Sequence, residues 1–109
     1  MLDWLATTSA ARPDDPCLAV GSDAWTFAEL DRAVRRAAGT LRRAGVGPGD
    51  RVAVWGPNDP ATVTALWAVL RLGAVVVPLN TRLASREAAG QVADAGARLV
   101  LAGPHGPDL

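Results

Sequence analysis

The stretch Leu70-Arg71-Leu72-Gly73-Ala74-Val75-Val76-Val77-Pro78-Leu79-Asn80 decides the fold. Ahead of it, Val63, Leu66, Trp67, Val69 and Leu70 cover most of a helical circumference, so residues 60 to about 72 read as a helix sandwiched between other elements. Asp59 as N-cap and Pro60 at the first helical position, where a missing N–H costs nothing, open this helix. Gly73 ends it. Ala74 to Leu79 follows as the strongest strand candidate, with three consecutive valines and Pro78 at its exit.

Upstream, the turn Gly47-Pro48-Gly49-Asp50 leads into Arg51 to Trp55, where Val52 and Val54 suit a buried strand. Downstream, a weaker helix from about Ser85 to Ala95 stops at Gly96 and gives way to a further strand, Arg98 to Ala102. Strand, helix, strand, helix, strand with short connections implies a parallel sheet with right-handed crossovers. The expected class is therefore α/β, a partial parallel sheet flanked by helices over residues 1–102, with 103–109 a polar tail punctuated by Pro and Gly. The chain shows no internal repeat.

Toward the N-terminus, Leu2 to Arg12 reads as a short helix with Leu2, Leu5 and Ala6 on one side, closed by Pro13. Asp14-Asp15-Pro16 is a turn, and Cys17 to Val20 is a short strand that turns through Gly21-Ser22-Asp23 into Trp25. Thr26 begins the clearest helix, because Thr26 and Glu29 have the spacing of a reciprocal capping box. Phe27, Leu30, Val34, Ala37, Ala38 and Leu41 then form one apolar stripe, and Gly45 supplies the left-handed stop. Arg32, Arg35, Arg36, Arg42 and Arg43 fall on or near the opposite face, with Asp31 and Arg35 as a favourable pair four residues apart. Without interleaved aromatics, that face reads as solvated rather than as a nucleic-acid surface.

Composition narrows the function classes. Of 109 residues, 50% are hydrophobic and 20% charged, with 11 basic against 11 acidic side chains, which argues against disorder and against electrostatic capture of nucleic acid. Every basic residue is Arg, so no ammonium is available to grip a phosphate or form a Schiff base. Cys17 stands alone, which excludes an internal disulfide, agrees with a reducing cytoplasm and reads as a buried structural thiol. Met1 to Arg12 lacks the pattern of a signal peptide, and no run of about 18 apolar residues could span a bilayer.

The familiar site patterns are missing or misplaced. Gly45-Val46-Gly47-Pro48-Gly49 has the look of a phosphate-binding loop, yet it precedes a strand instead of joining a strand to a helix. Gly56-Pro57-Asn58-Asp59 does follow a strand, but it has one glycine and sets an aspartate where an anion would sit. His105 reads as an exposed tail residue, Asp14 and Asp15 as turn residues, and Trp4, Trp25, Trp55 and Trp67 as separate core anchors. The expectation is no catalytic, cofactor-binding or metal-ligating residue within the chain.

Four stretches, in this order, resemble the adenylate-forming ligases, the superfamily of acyl-CoA synthetases and peptide-synthetase adenylation domains. They are Trp25-Thr26-Phe27-Ala28-Glu29-Leu30, Gly45-Val46 through Pro48-Gly49-Asp50-Arg51-Val52, Pro57-Asn58, and Leu70 through Asn80 continued by Arg82-Leu83. Leu2-Asp3-Trp4-Leu5 and Leu79-Asn80-Thr81-Arg82-Leu83 lean toward the 2-succinylbenzoate-CoA ligase branch, whereas Ala84 and Ala88 depart from the usual Thr and Leu. The resemblance implies an N-terminal segment of a much longer enzyme, in which a carboxylate attacks the ATP α-phosphate and a thiol then displaces AMP. It also implies ATP, Mg and CoA for the full-length protein, with the phosphate loop, ribose ligand, metal-binding Glu and catalytic Lys all outside this chain. The implied partner is the remainder of the ligase or a completing subunit; the alternative is a stand-alone interaction module that docks onto such a subunit. A sheet cut near Ala102 is expected to leave an edge and part of an apolar face open, giving marginal stability or self-association.

Overall fold

The computed structural model describes residues 3–20, 23–56, 60–79 and 85–102. Helix α1 (Trp4–Ala11) is capped by Asp3, whose Oδ1 accepts from the Ala6 amide at 3.0 Å. Strands β1 (Pro16–Val20) and β2 (Asp23–Thr26) form an antiparallel hairpin in which Leu18 faces Trp25. Of the expected turn Gly21-Ser22-Asp23, Asp23 is the first residue of β2 and the other two lie outside the described residues. Thr26 then caps α2 (Phe27–Arg43) as anticipated: its Oγ1 accepts from the Glu29 amide at 3.2 Å, and Glu29 Oε1 accepts from the Thr26 amide at 2.9 Å.

Three parallel strands follow, β3 (Arg51–Trp55), β4 (Val75–Leu79) and β5 (Leu99–Ala102), in the spatial order β4-β3-β5. They are linked by α3 (Pro60–Arg71) and α4 (Ser85–Ala95). The expected cap at Asp59 lies outside the described residues. Gly73 holds a φ of +72°, a backbone region costly for any residue with a Cβ, and this lets α3 turn directly into β4. The turn at residues 47–50 docks on that hinge, since the Gly49 amide donates to the Gly73 carbonyl and the Val75 amide to that of Asp50.

Among the described strands, β4 lies at one edge of the sheet. Val75 is 49% exposed, and Pro78, which has no N–H to donate, sits where a missing ladder bond is tolerated. The central strand is β3, whose Val52, Ala53 and Val54 are buried. The first crossover moves one way across the sheet and the second moves back past β3. Crossovers of one hand must then lie on opposite faces. They do: Val52 and Val54 share a core with α2 and α3, while Ala53, Val77, Leu79 and Val100 pack with Ala88 and Val92 of α4. On the first side α3 lies on the sheet, α2 on α3, and α1 on α2.

Candidate functional site

In a sheet of this topology, ligands gather beyond the carboxyl ends of the strands where the direction of winding reverses. Here that place is between β3 and β5, at Trp55 and Ala102, which stand side by side in the register. The neighbouring edge strand ends there in Leu79, opposite Trp55. Among the described residues this rim is apolar. The sheet's own guanidinium groups, Arg51 and Arg98, are at its other end. Arg51 Nη1 donates to the Ala95 carbonyl at 2.6 Å, and Arg98 lies 3.5 Å from the Asp50 carboxylate.

The loop Gly45 to Gly49 belongs to that opposite end and carries a structural load. Gly45 adopts φ +94°, and a Cβ there would come within 2.6 Å of Arg98 Nη2. The Gly47 amide donates to Asp50 Oδ2 at 2.8 Å, those of Gly45 and Val46 to the Arg42 and Leu41 carbonyls of α2, and that of Gly49 to Gly73, so these amides are engaged within the fold. The loop after β3 lies outside the described residues from Pro57 to Asp59, as does His105. Among the described residues no group of three or more His, Cys, Asp or Glu comes together. The side chains at this rim among the described residues therefore do not form a set that fits a magnesium ion.

The most elaborate polar cluster joins three helices. Arg71, in the last turn of α3, donates through Nε to Asp3 Oδ2 at 2.5 Å and through Nη2 to Asp31 Oδ1 at 2.6 Å. Asp31 in turn accepts from Arg35 Nη2 at 3.0 Å. The bond from Arg71 holds the Asp3 carboxyl below its ordinary value, against the opposing effect of burial. Burial pulls the Arg71 guanidinium down, but its bonds to Asp3 and Asp31 more than offset this and raise it. Every oxygen of the two carboxylates has a partner. The cluster is a clamp between α1, α2 and α3, in which both carboxylates are engaged by protein donors.

This clamp was missed in the sequence, where Asp31 was paired only with Arg35 on a solvated face. Its side chain is 7% exposed. The signal was present: Asp31 lies four residues after Phe27 and three before Val34, inside the apolar stripe, and Arg71 interrupts the apolar run Val69-Leu70-Leu72. Trp4 is a correction of the opposite kind. It is 69% exposed, because the short α1 buries only Leu5 and Trp4 points off that contact line. Trp25 and Trp67 pack against the main core and Trp55 against the smaller one, all half-buried. Cys17 is half-buried against the main core, where burial raises its thiol pKa. Asp15 is salt-bridged to Arg12 at 2.8 Å within the turn read for it.

Comparison with known proteins gives these features a context. Residues 5–108 match the family model described as AMP-binding enzyme. Feruloyl-CoA synthase of Amycolatopsis sp is 45% identical over 102 residues, which is 94% of this chain and 21% of that protein. Among solved structures, the O-succinylbenzoate coenzyme A synthetase of Bacillus subtilis in complex with AMP aligns with a TM-score of 0.92 at 30% identity, over 99% of this chain and 28% of its own. That synthetase has also been solved with ATP and magnesium ion. The inhibitor-bound N-terminal domain of FACL13 from Mycobacterium tuberculosis aligns with a TM-score of 0.87 at 31% identity, over 93% and 26% of the two chains. A family match across nearly all of the sequence, on a fold shared with N-terminal domains of such ligases, makes the chain a member of the AMP-binding enzyme family, the adenylate-forming ligases.

Proposed function

We propose that this chain is the N-terminal scaffold segment of an ATP-dependent acyl- or aryl-CoA ligase that works through an acyl-adenylate, with the reacting groups supplied by residues outside it. The observation that carries this reading is the distribution of charge about the sheet. The carboxyl ends of the strands are apolar at Trp55, Leu79 and Ala102, whereas Arg51 and Arg98 are at the far rim of the sheet and Arg71 is clamped between helices. The chain's own contribution is to set the position of β3 and its neighbours. The feruloyl and succinylbenzoate relatives point to an aromatic acid as the substrate of the complete enzyme. A cytoplasmic location accompanies the proposal, since a lone thiol suits a reducing compartment.

The test is an exchange of segments. Grafting this chain in place of the matching residues of feruloyl-CoA synthase is expected to give a working ligase, while the isolated chain catalyses no ATP–pyrophosphate exchange. Exchange by the isolated chain at an ordinary enzyme's rate would overturn the proposal. So would a folded graft with intact ATP binding that fails to support ligation.

A further inference from the structure

The outward side of α2 carries five exposed arginines, Arg32, Arg35, Arg36, Arg42 and Arg43. At 100° per residue, Arg32, Arg36 and Arg43 fall within about 40° of one another, on a line about 16 Å long. Arg35 is off this line and bonded to Asp31. Among the described residues Arg43 makes a 3.4 Å contact with Thr40 Oγ1 and no ion pair. Among the described residues Arg32 and Arg36 form no ion pair. Together with Trp25, Glu29 and Ala33 they line an open depression of about 200 Å³. Trp25 packs against the main core, so the wall it provides is fixed. Glu29 lies at the N-terminal end of the same line, and the order of charge along it is one negative followed by three positive.

We propose that this row is a docking face for an acidic helical segment of a partner protein, with carboxylates opposite Arg32, Arg36 and Arg43 and a basic side chain opposite Glu29. A second helix has the same rise per residue, so carboxylates spaced by four and then seven residues come level with the three guanidinium groups. The planar guanidinium accepts a carboxylate bidentately, which favours arginine at such a contact. A membrane is a poor occupant, because the large hydrophobics that are exposed among the described residues, Trp4 and Val75, are not on α2 and give the helix nothing to insert. Nucleic acid is disfavoured by the balance of 11 basic and 11 acidic residues, which leaves no long-range field, and by the carboxylate of Glu29 within the row.

The probe is a labelled helical peptide with glutamates at i, i+4 and i+11 and a lysine three residues before the first, titrated by fluorescence anisotropy against the full chain. Saturable binding that weakens with salt is expected, and the double variant Arg32→Glu/Arg36→Glu is expected to lose about tenfold in affinity. A peptide with the charges exchanged should bind that variant in preference to the wild type, which separates a lost contact from a lost fold. Arg32→Gln/Arg36→Gln gives the same readout without reversed charge, and Arg86→Glu on α4 should change nothing. Equal binding of a scrambled peptide, indifference to the charge reversal, or tighter capture of anionic vesicles or duplex DNA than of the peptide would overturn the proposal.

Discussion

The two faces of the three-stranded sheet are closed to different degrees. On the side of α3 the core contains twelve buried residues drawn from α1, α2, α3, β3 and the turns between them. On the side of α4 it contains, among the described residues, three, Ala53, Leu79 and Ala88, with Trp55, Val77, Val92, Ala97 and Val100 only partly covered. The cause lies in the helices. α2 offers Leu30, Val34, Ala38 and Leu41 on one stripe, whereas the 11 residues of α4 include a single large apolar side chain, Val92. A parallel sheet is normally covered on both sides. Among the described residues the larger share of the burial is therefore on the side of α3.

Two truncations test that division. Leu30 is 1% exposed in the larger core, and Leu30→Ala is expected to cost about 2–5 kcal/mol by urea denaturation. Val92 is half-covered, and Val92→Ala should cost about 1 kcal/mol or less. Equal costs at the two positions would abolish the distinction between the faces.

The same contrast holds for ion pairs. Arg71 is 17% exposed and joins Asp31 at 7%, so Arg71→Met leaves a buried carboxylate without its main partner, at a cost of about 3 kcal/mol. Arg98 is 53% exposed and 3.5 Å from Asp50, and Arg98→Met should cost about 0–1 kcal/mol. The clamp also has a pH signature. Asp3 has an ordinary pKa of 3.8 that is lowered in the fold, so its contribution is complete above that value and is lost as the pH falls through the lower folded one. Acid titration of stability should therefore show a loss beginning below about pH 4 that is smaller in Arg71→Met. A variant as acid-sensitive as the wild type would remove Asp3 from the account.

How much of this was legible in the sequence follows from which signals are local. The capping box at Thr26, the stop at Gly45 and the hinge at Gly73 are set by neighbouring residues, and α4 and the strands fell within about a residue of their read boundaries. The order of the strands is not local. Three successive valines mark a strand but not its place, and among the described strands β4 is at one edge because β5 pairs on the far side of β3. The clamp escaped for a similar reason: Asp3, Asp31 and Arg71 are far apart in sequence, and only the packing of three helices brings them together. At the candidate site the apolar strand ends at Trp55, Leu79 and Ala102 follow from the read strand boundaries, whereas the side-by-side placing of Trp55 and Ala102 does not, because it depends on the order of the strands.

Smaller effects sharpen the comparison at the N-terminal ends of α2 and α1. Thr26→Ala removes the oxygen that caps α2 and is expected to cost about 1 kcal/mol. Trp4→Ser should be smaller still, within about 0.5 kcal/mol of neutral, because Trp4 is 69% exposed and the anchoring of α1 is left to Leu5 and Asp3. Fluorescence distinguishes this from a packing role. Trp25, Trp55 and Trp67 are half-buried, so acrylamide should quench an accessible fraction of the emission that disappears in Trp4→Ser. If the variant were as costly as Leu30→Ala, Trp4 would have to be packed against a surface, and α1 would be held by more than one buried leucine and one ion pair.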